Sequence, residues 1–426
     1  MDINFKNYSS VDLDTLPISE EWDGRGVRED LMHHIHAYPA KFPAFITTKA
    51  IQYAESKGIK VKTVADIFCG CGTVAYETIK SKRQFWGCDI NPVATLIART
   101  KSKYYDDNLL THYYNSILNS FASRTYDKFD PIANNTRIKY WFFEQQIEDL
   151  LKLKNAIIDV VHDNSYQEFF LCAFSNILKS CSRWLTKSIK PQIDPQKKPH
   201  DVLEAFDNQV RMMQRANAEN EPFNSVANIE TINCLELQTE YPFVDLLVTS
   251  PPYVTSYEYA DLHQLSTLWL GYTDDFRSFR KGTIGSVHSA SSTIGHELSL
   301  NLTGKEIVSK LSVVDKSKSY AVLQYYVDMQ NAIAKVFQII VPGGAVLFVI
   351  GNTEYKKVKI DNARHLLETL LNVGFMDVVI ERRKISNKIL TPYRDSLGKF
   401  TTDKNSRKVY SEEFIIFAKK PSWKKH

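Results

Sequence analysis

The chain has 426 residues, of which 43% are hydrophobic and 24% are charged. These proportions are ordinary for a globular protein, and the length suits two or three domains or one enlarged α/β unit. No run approaches the ~18 uninterrupted apolar residues of a membrane helix, and the polar, acidic N-terminus is unlike a secretory signal. We therefore expect a cytoplasmic protein with no membrane partner.

The formal net charge of +4 does not decide whether the chain binds nucleic acid. Basic residues are concentrated in segments 179–215 and 381–408, a distribution that suits a phosphate backbone and equally suits a solvated surface. The six cysteines indicate no disulfide framework. Cys69 and Cys71 lack a second pair at zinc-binding spacing, so we predict buried cysteines and no metal site.

The first hundred residues indicate the beginning of an α/β sheet. Residues 1–30 lack periodicity and predict an irregular arm. The elements predicted next are a helix at 42–58, a strand at 61–69, a helix at 73–82, a strand at 84–90 and a helix beginning at Pro92. A strand, a glycine turn, a helix and a second strand in this order are typical of a doubly wound, mostly parallel sheet.

The middle of the chain shows no strand alternation. Segment 104–225 instead predicts amphipathic helices at 140–161, 167–185 and 201–216, with a proline-rich loop at 190–200. We interpret this segment as a large helical insertion after the second strand.

Strand patterns resume after the insertion. Five more strands are predicted, at 228–236, 243–249, 345–352, 375–385 and 412–420. Helices are predicted at 258–270, 319–340 and 361–373, and a long loop is predicted at 277–318. The helix at 319–340 is expected to be stopped by the Val-Pro-Gly-Gly run at 341–344, and the helix at 361–373 is expected to end at Gly374. The total is a seven-stranded sheet.

A glycine-rich turn follows the first predicted strand. Gly70 and Gly72 allow a ligand to approach the backbone closely, and they leave free amide groups at the beginning of the next helix. Asp89 ends the next strand, where a carboxylate can accept hydrogen bonds from ribose hydroxyls. The glycine spacing alone is not decisive, because many nucleotide-binding folds share it and Ala75 stands where a dinucleotide fingerprint has glycine or alanine.

The run Ser250-Pro251-Pro252-Tyr253 directly follows an apolar strand, at the sheet edge where open α/β proteins bind ligands. An aromatic amine is a poor nucleophile, because its lone pair is delocalised into the ring. Ser250 Oγ and the Pro251 carbonyl can accept hydrogen bonds from such an amine and direct its lone pair at an activated methyl group. Tyr253 offers a face on which an extruded base can stack. A rigid structural turn is the alternative interpretation of this run.

These motifs together resemble the bacterial amino-methyltransferases of DNA, in particular the S-P-P-Y group that includes cytosine-N4 enzymes. The resemblance extends over most of the chain. It includes His36–Pro43 (H-A-Y-P-A-K-F-P), the glycine motif D-I-F-C-G-C-G-T beginning at Asp66, the turn G-C-D-I-N-P beginning at Gly87, and the segment from Ser256-Tyr257 to Trp269-Leu270-Gly271. It implies a Rossmann-like class I methyltransferase fold with S-adenosylmethionine as cofactor.

The resemblance also implies a donor site. Its members are Tyr38, Pro39, Lys41, Asp66, Phe68, Gly70, Gly72, Thr73, Asp89, Ile90, Asn233 and Cys234. This chain departs from the family pattern at three places. Cys71 replaces the more usual serine, Ala37 stands where proline is common, and Asn233 and Cys234 stand where relatives often have an aspartate. Serine before the two prolines favours cytosine N4 as the target.

We expect a catalytic domain at 31–103 and 226–426, and a DNA-recognition domain at 104–225. The residues expected to contact DNA are Arg280, Lys281, Arg382, Arg383, Lys384 and Arg394. Double-stranded DNA is the expected partner, together with a cognate restriction endonuclease or another defence-system protein. The alternatives are methylation of adenine N6, an RNA N-methyltransferase, and a catalytically silent DNA-binding subunit.

Overall fold

A computed structural model of the chain describes residues 2–3, 11–39, 41–254, 259–284, 299–385, 393–394, 400–401, 403, 407–408 and 411–422. Within these residues the strands are β1 (Asp2–Ile3), β2 (Thr63–Asp66), β3 (Gln84–Cys88), β4 (Ala227–Glu230), β5 (Val244–Thr249), β6 (Ile340–Ile350), β7 (Thr353–Tyr355), β8 (Val358–Ile360), β9 (Met376–Lys384), β10 (Tyr393–Arg394), β11 (Phe400–Thr401), β12 (Arg407–Lys408) and β13 (Glu412–Lys419).

The helices of the described chain are α1 (Ala44–Ser56), α2 (Thr73–Lys80), α3 (Pro92–Lys101), α4 (Asp107–Ser123), α5 (Pro131–Asn134), α6 (Thr136–Trp141), α7 (Glu144–Val160), α8 (Asn164–Ile177), α9 (Val202–Ala218), α10 (Tyr259–Leu262), α11 (Gln264–Trp269), α12 (Leu302–Val314), α13 (Lys316–Ile339) and α14 (Asn362–Val373). Several begin at an acidic or amide residue that accepts the first free backbone amides, as Asp106 does for α4 and Asp163 does for α8.

The central sheet has eight strands in the order β1-β9-β13-β6-β5-β2-β3-β4. Strands β2 to β6 pair in parallel, whereas β13 runs antiparallel to both β6 and β9. Without the short β1, the order along the chain is 6-7-5-4-1-2-3 with only the seventh strand reversed. This is the arrangement of class I methyltransferases, so the predicted seven-stranded, mostly parallel sheet is confirmed.

Both faces of the sheet are covered, and the side chains of β6 show how. Ala345, Leu347 and Val349 point to one face, where they join the core that α1 and α2 complete. The alternate residues of the same strand, such as Phe348 and Ile350, join a second core with α13 and α14. A strand buried on both faces must be apolar throughout, which explains why its sequence does not alternate.

The helical insertion packs directly onto the catalytic half of the chain. Helices α4 to α9 share one apolar core with residues from α2, α3 and α11, including Tyr76, Leu96 and Trp269. The expected boundary between a catalytic domain and a recognition domain at 104–225 therefore crosses a continuous core. The division into two functional domains stays a prediction.

Several predicted elements differ from the structure. The helix predicted at 140–161 is two helices, α6 and α7, because the chain is extended at Phe142 and Phe143. The helix predicted at 167–185 ends at Ile177. The run Val341–Gly344 does not form a separate loop but belongs to β6. In the arm at 1–30, β1 adds an antiparallel edge strand to β9.

The loop predicted at 277–318 contains helix α12, and its residues 285–298 lie outside the described part. Asn301 Oδ1 accepts from Gly304 N, and the carboxylate of Glu368 accepts from the amides of Leu302 and Thr303. The apolar side chains of α12 pack against α13. The helix therefore begins at contacts with a residue of α14, which local periodicity does not reveal.

Candidate active site

The glycine turn and the Ser-Pro-Pro-Tyr run meet at the same edge of the sheet. Strands β2 and β5 are parallel neighbours, with Val64 opposite Leu246 and Ala65 opposite Leu247. Because their carboxyl ends coincide, the segments that follow the two strands are adjacent. Thr249 Oγ1 donates a hydrogen bond of 2.5 Å to Asp66 Oδ1 and joins the segments directly.

The glycines of the turn are required by its geometry. Gly70 has φ +50° and Gly72 has φ +75°, a region that side chains with a Cβ rarely adopt. A Cβ on Gly72 would lie 2.6 Å from Ala98 Cα, so helix α3 could not approach as closely. The nearest atoms to a Cβ on Gly70 would be those of the Tyr38 ring, at 3.6 Å, so this turn leaves space beside the tyrosine.

Asp89 stabilises the turn. Its Oδ2 accepts from Gly70 N and its Oδ1 accepts from Asn91 N, each at 2.9 Å. Burial raises the pKa of Asp89, and the two backbone hydrogen bonds oppose that rise. Asp89 therefore holds the glycine turn against the end of β3, and its contact with a ribose stays a prediction.

Asp66 is a buried carboxyl group at the centre of the site. Its Oδ1 also accepts from Phe68 N at 2.9 Å. Burial raises the pKa of Asp66 to about 7, and the nearby Asp89 carboxylate adds to the rise. The hydrogen bond from Thr249 acts in the opposite direction. Asp66 therefore changes its charge near neutral pH.

Two residues of the predicted donor site, Ile90 and Asn233, both adjoin Gly282. A Cβ on Gly282 would lie 3.0 Å from Ile90 Cδ1, and Asn233 Nδ2 donates to Gly282 O at 3.2 Å. Cys234 is buried in the adjoining core. The segment around Gly282 therefore packs against Ile90 and Asn233. The sequence did not indicate that this segment lies beside the predicted donor site.

The segment 36–41 lies across the glycine turn, apart from Ala40, which is outside the described residues. The Tyr38 ring is next to Gly70 and is 5.1 Å from the ring of His263, centre to centre. Lys41 Nζ instead pairs with Glu29 Oε2 at 2.6 Å and donates to His33 O. The position of Tyr38 fits its predicted place in the donor site, whereas Lys41 is paired with the carboxylate of Glu29.

The insertion holds this segment in place. Ala37 N donates to Asn176 Oδ1, and His36 Nε2 lies 2.9 Å from Ser175 Oγ. From α9, Gln209 Nε2 donates to Ile35 O at 2.7 Å. Burial lowers the pKa of His36 to about 4, so its ring is neutral at pH 7. These contacts span distant parts of the chain, and the sequence carried no signal for them.

The Ser-Pro-Pro-Tyr run ends at a contact with the last strand. Tyr253 Oη donates to Glu413 Oε1 at 2.8 Å, and a Cβ on Gly351 would be 3.7 Å from the same ring. Ser250 is half-buried, and its side chain forms no hydrogen bond with any residue that the structure describes. Its hydroxyl can therefore accept from an incoming ligand. Ser256 and Tyr257 lie outside the described residues.

The basic residues predicted to contact DNA differ in their surroundings. Arg280 forms a bidentate pair with Asp261, and Arg382 pairs with Glu412. Lys281 and Lys384 are exposed, and the side chain of Arg394 lies outside the described part. Arg383 is only 1% exposed, so the prediction that it contacts DNA is wrong. An arginine beside a carboxylate inside the protein cannot reach a phosphate.

A different group of cations and rings, partly exposed, lies on the insertion and the segment beside it. The Arg137 guanidinium lies 4.8 Å from the Tyr140 ring and 5.4 Å from that of Phe276, and Arg183 lies 5.2 Å from Phe143. Tyr140 and Phe143 are both about half exposed. We call this group the Arg–aromatic surface. It consists of four residues of the insertion and one residue beside it: Arg137, Tyr140, Phe143, Arg183 and Phe276.

The Arg–aromatic surface is joined to the segment that follows the Ser-Pro-Pro-Tyr run. Gln264 Oε1 in α11 accepts from both Arg137 Nε, at 2.7 Å, and Trp141 Nε1, at 3.0 Å. Trp141 stacks on Trp184 with the ring centres 4.9 Å apart. These hydrogen bonds therefore fix the position of the Arg–aromatic surface relative to α11.

All six cysteines are buried and unpaired. Among the described residues no cluster of histidine, cysteine, aspartate or glutamate could hold a metal ion. None of the described helices is long and apolar enough to span a bilayer.

Sequence comparisons find similarity to a family of methylases and to a methyltransferase. Residues 4–100 match a family described as DNA methylase, of the N6/N4 group. A type II methyltransferase, M.MvaI from Kocuria varians, is 24% identical over 388 residues, which cover 84% of this chain and 85% of the relative.

Two solved structures are similar to this chain at lower sequence identity than that relative. An S-adenosylmethionine-dependent methyltransferase from Methanosarcina mazei is 10% identical, with a TM-score of 0.30, over 86% of this chain and 97% of that one. The rRNA methyltransferase aviRa from Streptomyces viridochromogenes is 11% identical, with a TM-score of 0.29, over 92% and 90% of the two chains. The evidence for the fold is the strand order itself.

The strand order is that of the S-adenosylmethionine-dependent methyltransferase fold, and the two motifs follow neighbouring strands at its carboxyl edge. The sequence matches support a DNA methyltransferase of the N6/N4 kind.

Proposed function

We propose that this chain transfers a methyl group from S-adenosylmethionine to the exocyclic N4 of cytosine in double-stranded DNA. The observation that carries the proposal is that Ser250 and Tyr253 directly follow β5, whose carboxyl end adjoins the end of β2, where the glycine turn begins. The hydrogen bond between Thr249 and Asp66 fixes one segment against the other.

The residues around the glycine turn suit the methyl donor. Gly70 leaves a space beside the Tyr38 ring that a Cβ would enter, and Gly72 allows α3 to pack closely beneath the turn. Asp89, Ile90 and Asn233 are the residues that would hold the nucleoside part. The donor supplies a methyl group activated by a sulfonium centre.

The Ser-Pro-Pro-Tyr run supplies what the target amine lacks. Ser250 Oγ and the Pro251 carbonyl accept hydrogen bonds from the two N–H groups and direct the nitrogen lone pair towards the methyl group. The prolines fix the turn and add no competing backbone donor. The Tyr253 ring stacks on the base, which must leave the duplex to reach the site at a cost of a few kcal/mol.

Serine before the prolines supports cytosine N4 over adenine N6. The family that matches residues 4–100 includes both kinds of enzyme, so adenine N6 is the second candidate. The Kocuria varians relative is a type II methyltransferase, and a partner endonuclease for this chain is a further proposal. A cytoplasmic location stays a prediction.

We assign DNA recognition to the insertion. The guanidinium groups of Arg137 and Arg183 form no ion pair with described residues and lie over exposed rings, which suits a phosphate backbone and splayed bases. Lys187, Lys190 and Lys198 are exposed on the loop that carries Arg183. By contrast, Arg382 and Arg383 face Glu412 and Glu413.

The proposal is tested by methyl transfer from labelled donor to duplex DNA, RNA and protein in parallel. The labelled DNA is then digested to nucleosides and analysed by mass spectrometry. N4-methylcytosine is the expected product, and N6-methyladenine would establish the second candidate. Label in RNA alone, or in no acceptor, would overturn the assignment to DNA.

A further inference from the structure

Tyr253 is held by a residue far away in the sequence. Its hydroxyl donates to Glu413 Oε1 at 2.8 Å, across 160 positions of the chain. Glu413 lies near the start of the antiparallel strand β13, which places it at the carboxyl edge of the neighbouring β6. The end of the tyrosine ring is therefore held between Gly351 and a carboxylate.

Glu413 is held in turn by a buried arginine. Glu413 and Arg383 are opposite each other in β13 and β9, and Arg383 Nη1 lies 3.4 Å from Glu413 Oε2. The Arg383 guanidinium also lies 5.4 Å from the Phe45 ring, and its buried Nε and Nη1 have no hydrogen-bond partner among the described residues. Among the described residues Glu413 is the ion-pair partner of this buried cation, whose charge also acts on Asp23, so removal of Glu413 would leave the cation poorly compensated.

We infer that Glu413 and Arg383 are positioning residues that orient the ring of Tyr253 for stacking on the target base. The inference rests on the proposed function. Stacking alone requires only the ring, which phenylalanine would also provide. The hydroxyl adds a tether that restricts ring motion before the base arrives, and a group that is already in place loses less entropy when it binds.

The neighbouring pair on the same strands provides a matched control. Arg382 Nε lies 2.8 Å from Glu412 Oε2, so this pair also joins β9 to β13. Arg382 also donates to Leu16 O in the arm, so this pair is tied to a different segment from the one that Glu413 contacts. If Glu413 served only to pair the strands, the two glutamates would be equivalent in their effect on catalysis.

The experiment measures kcat and KM for methyl transfer to duplex DNA in E413L, E413Q, Y253F, E413L/Y253F and E412L. We expect E413L and Y253F each to lower kcat about tenfold, as loss of one hydrogen bond allows, with KM for the donor unchanged. The double variant should be no slower than either single one. E413Q should recover most of the activity, because its amide oxygen can accept from Tyr253.

A second readout follows the base itself. With 2-aminopurine at the methylated position, Y253F and E413L should change the fluorescence of the enzyme–DNA complex, whereas E412L should match the wild type. Wild-type kcat in Y253F would overturn the positioning role, as would an additive loss in the double variant. Y253F retains the Arg383–Glu413 pair, so it tests the tether even if E413L fails to fold. A wild-type protein inactive on all DNA would overturn the proposed function and this inference with it.

Discussion

Thr249, the last residue of β5, donates a hydrogen bond of 2.5 Å to Asp66, the last residue of β2. The contact joins the two segments that carry the proposed chemistry, because Ser250 follows one strand and the glycine turn follows the other. Asp66 is 3% exposed, so the bond lies in a region of low dielectric, where its geometry is well defined.

This buried carboxyl group predicts a pH-dependent stability. Its pKa is about 7 in the folded chain against 3.8 for the free group, so the folded state binds the proton more tightly. The resulting stability is complete below pH 4 and is lost as the pH rises through 7. We expect wild type to lose on the order of 2 kcal/mol relative to D66N between pH 5 and pH 8.

Urea unfolding of both proteins at several pH values measures this difference. Asparagine can still accept from Thr249 and Phe68, so the variant retains the local hydrogen bonds. Other groups titrate in both proteins and cancel in the comparison. Parallel stability curves for wild type and D66N would show that Asp66 is ionised throughout this range.

Ser250→Ala should abolish most of the catalysis. Loss of one acceptor for the target amine is expected to lower kcat on the order of 100-fold, similar to removal of one transition-state hydrogen bond elsewhere. Donor binding, followed by calorimetry, should be unchanged. Ser309→Ala, at an exposed serine of α12, is the control for the substitution itself. Unchanged kcat in S250A would remove Ser250 from the mechanism.

The Arg–aromatic surface predicts a salt-dependent effect on DNA binding. Arg183→Glu with Lys187→Glu should weaken binding to duplex DNA at least tenfold and reduce the slope of log K against log salt by about 2. Both residues lie on the loop after α8, and the backbone bond from Arg183 N to Trp141 O remains. Fluorescence anisotropy at several salt concentrations provides the measurement.

Lys305→Glu is the control, because it reverses an exposed charge on α12. It should leave both affinity and slope near the wild-type values. If K305E and the double variant weaken binding equally, the effect comes from total charge and the assignment of the surface is wrong.

Gly72→Ala should destabilise the fold more than an alanine at another glycine of similar backbone angle. Gly26 has φ +79° with no atom within 4 Å of its Cβ position, whereas Gly72 has φ +75° and a backbone atom of Ala98 at 2.6 Å. We expect G26A to cost about 1–2 kcal/mol from the backbone angle alone, and G72A to cost several kcal/mol. Equal free energies of unfolding in urea would contradict the close packing of α3.

Local sequence patterns predict much of the sheet and the position of the two segments at its edge. The strand before Ser250 is a continuous apolar run, and glycines after the strand that ends at Asp66 indicate a tight turn, so both segments could be placed at one sheet edge. The seven strands of the predicted sheet follow from the same pattern. Parallel neighbours bring their carboxyl ends together without further information.

What the sequence did not reveal depends on contacts between distant segments. The cap of α12 by Glu368 and the hold of Gln209 on Ile35 join residues that no local pattern relates. Arg383 illustrates the converse error. A run of basic residues predicted a DNA contact, yet strand alternation turns this side chain inward to Glu413.

Under the proposed role of the insertion in DNA recognition, the apolar core that it shares with α2, α3 and α11 limits how new target sequences can be acquired. Exchange of residues 104–225 alone between relatives would leave Tyr76, Leu96 and Trp269 facing foreign helices. A successful chimaera must therefore carry matching partners from both sides of that contact, or change only the exposed loop around Arg183. Redesign of target choice is accordingly easier by surface substitution than by transplanting the whole segment.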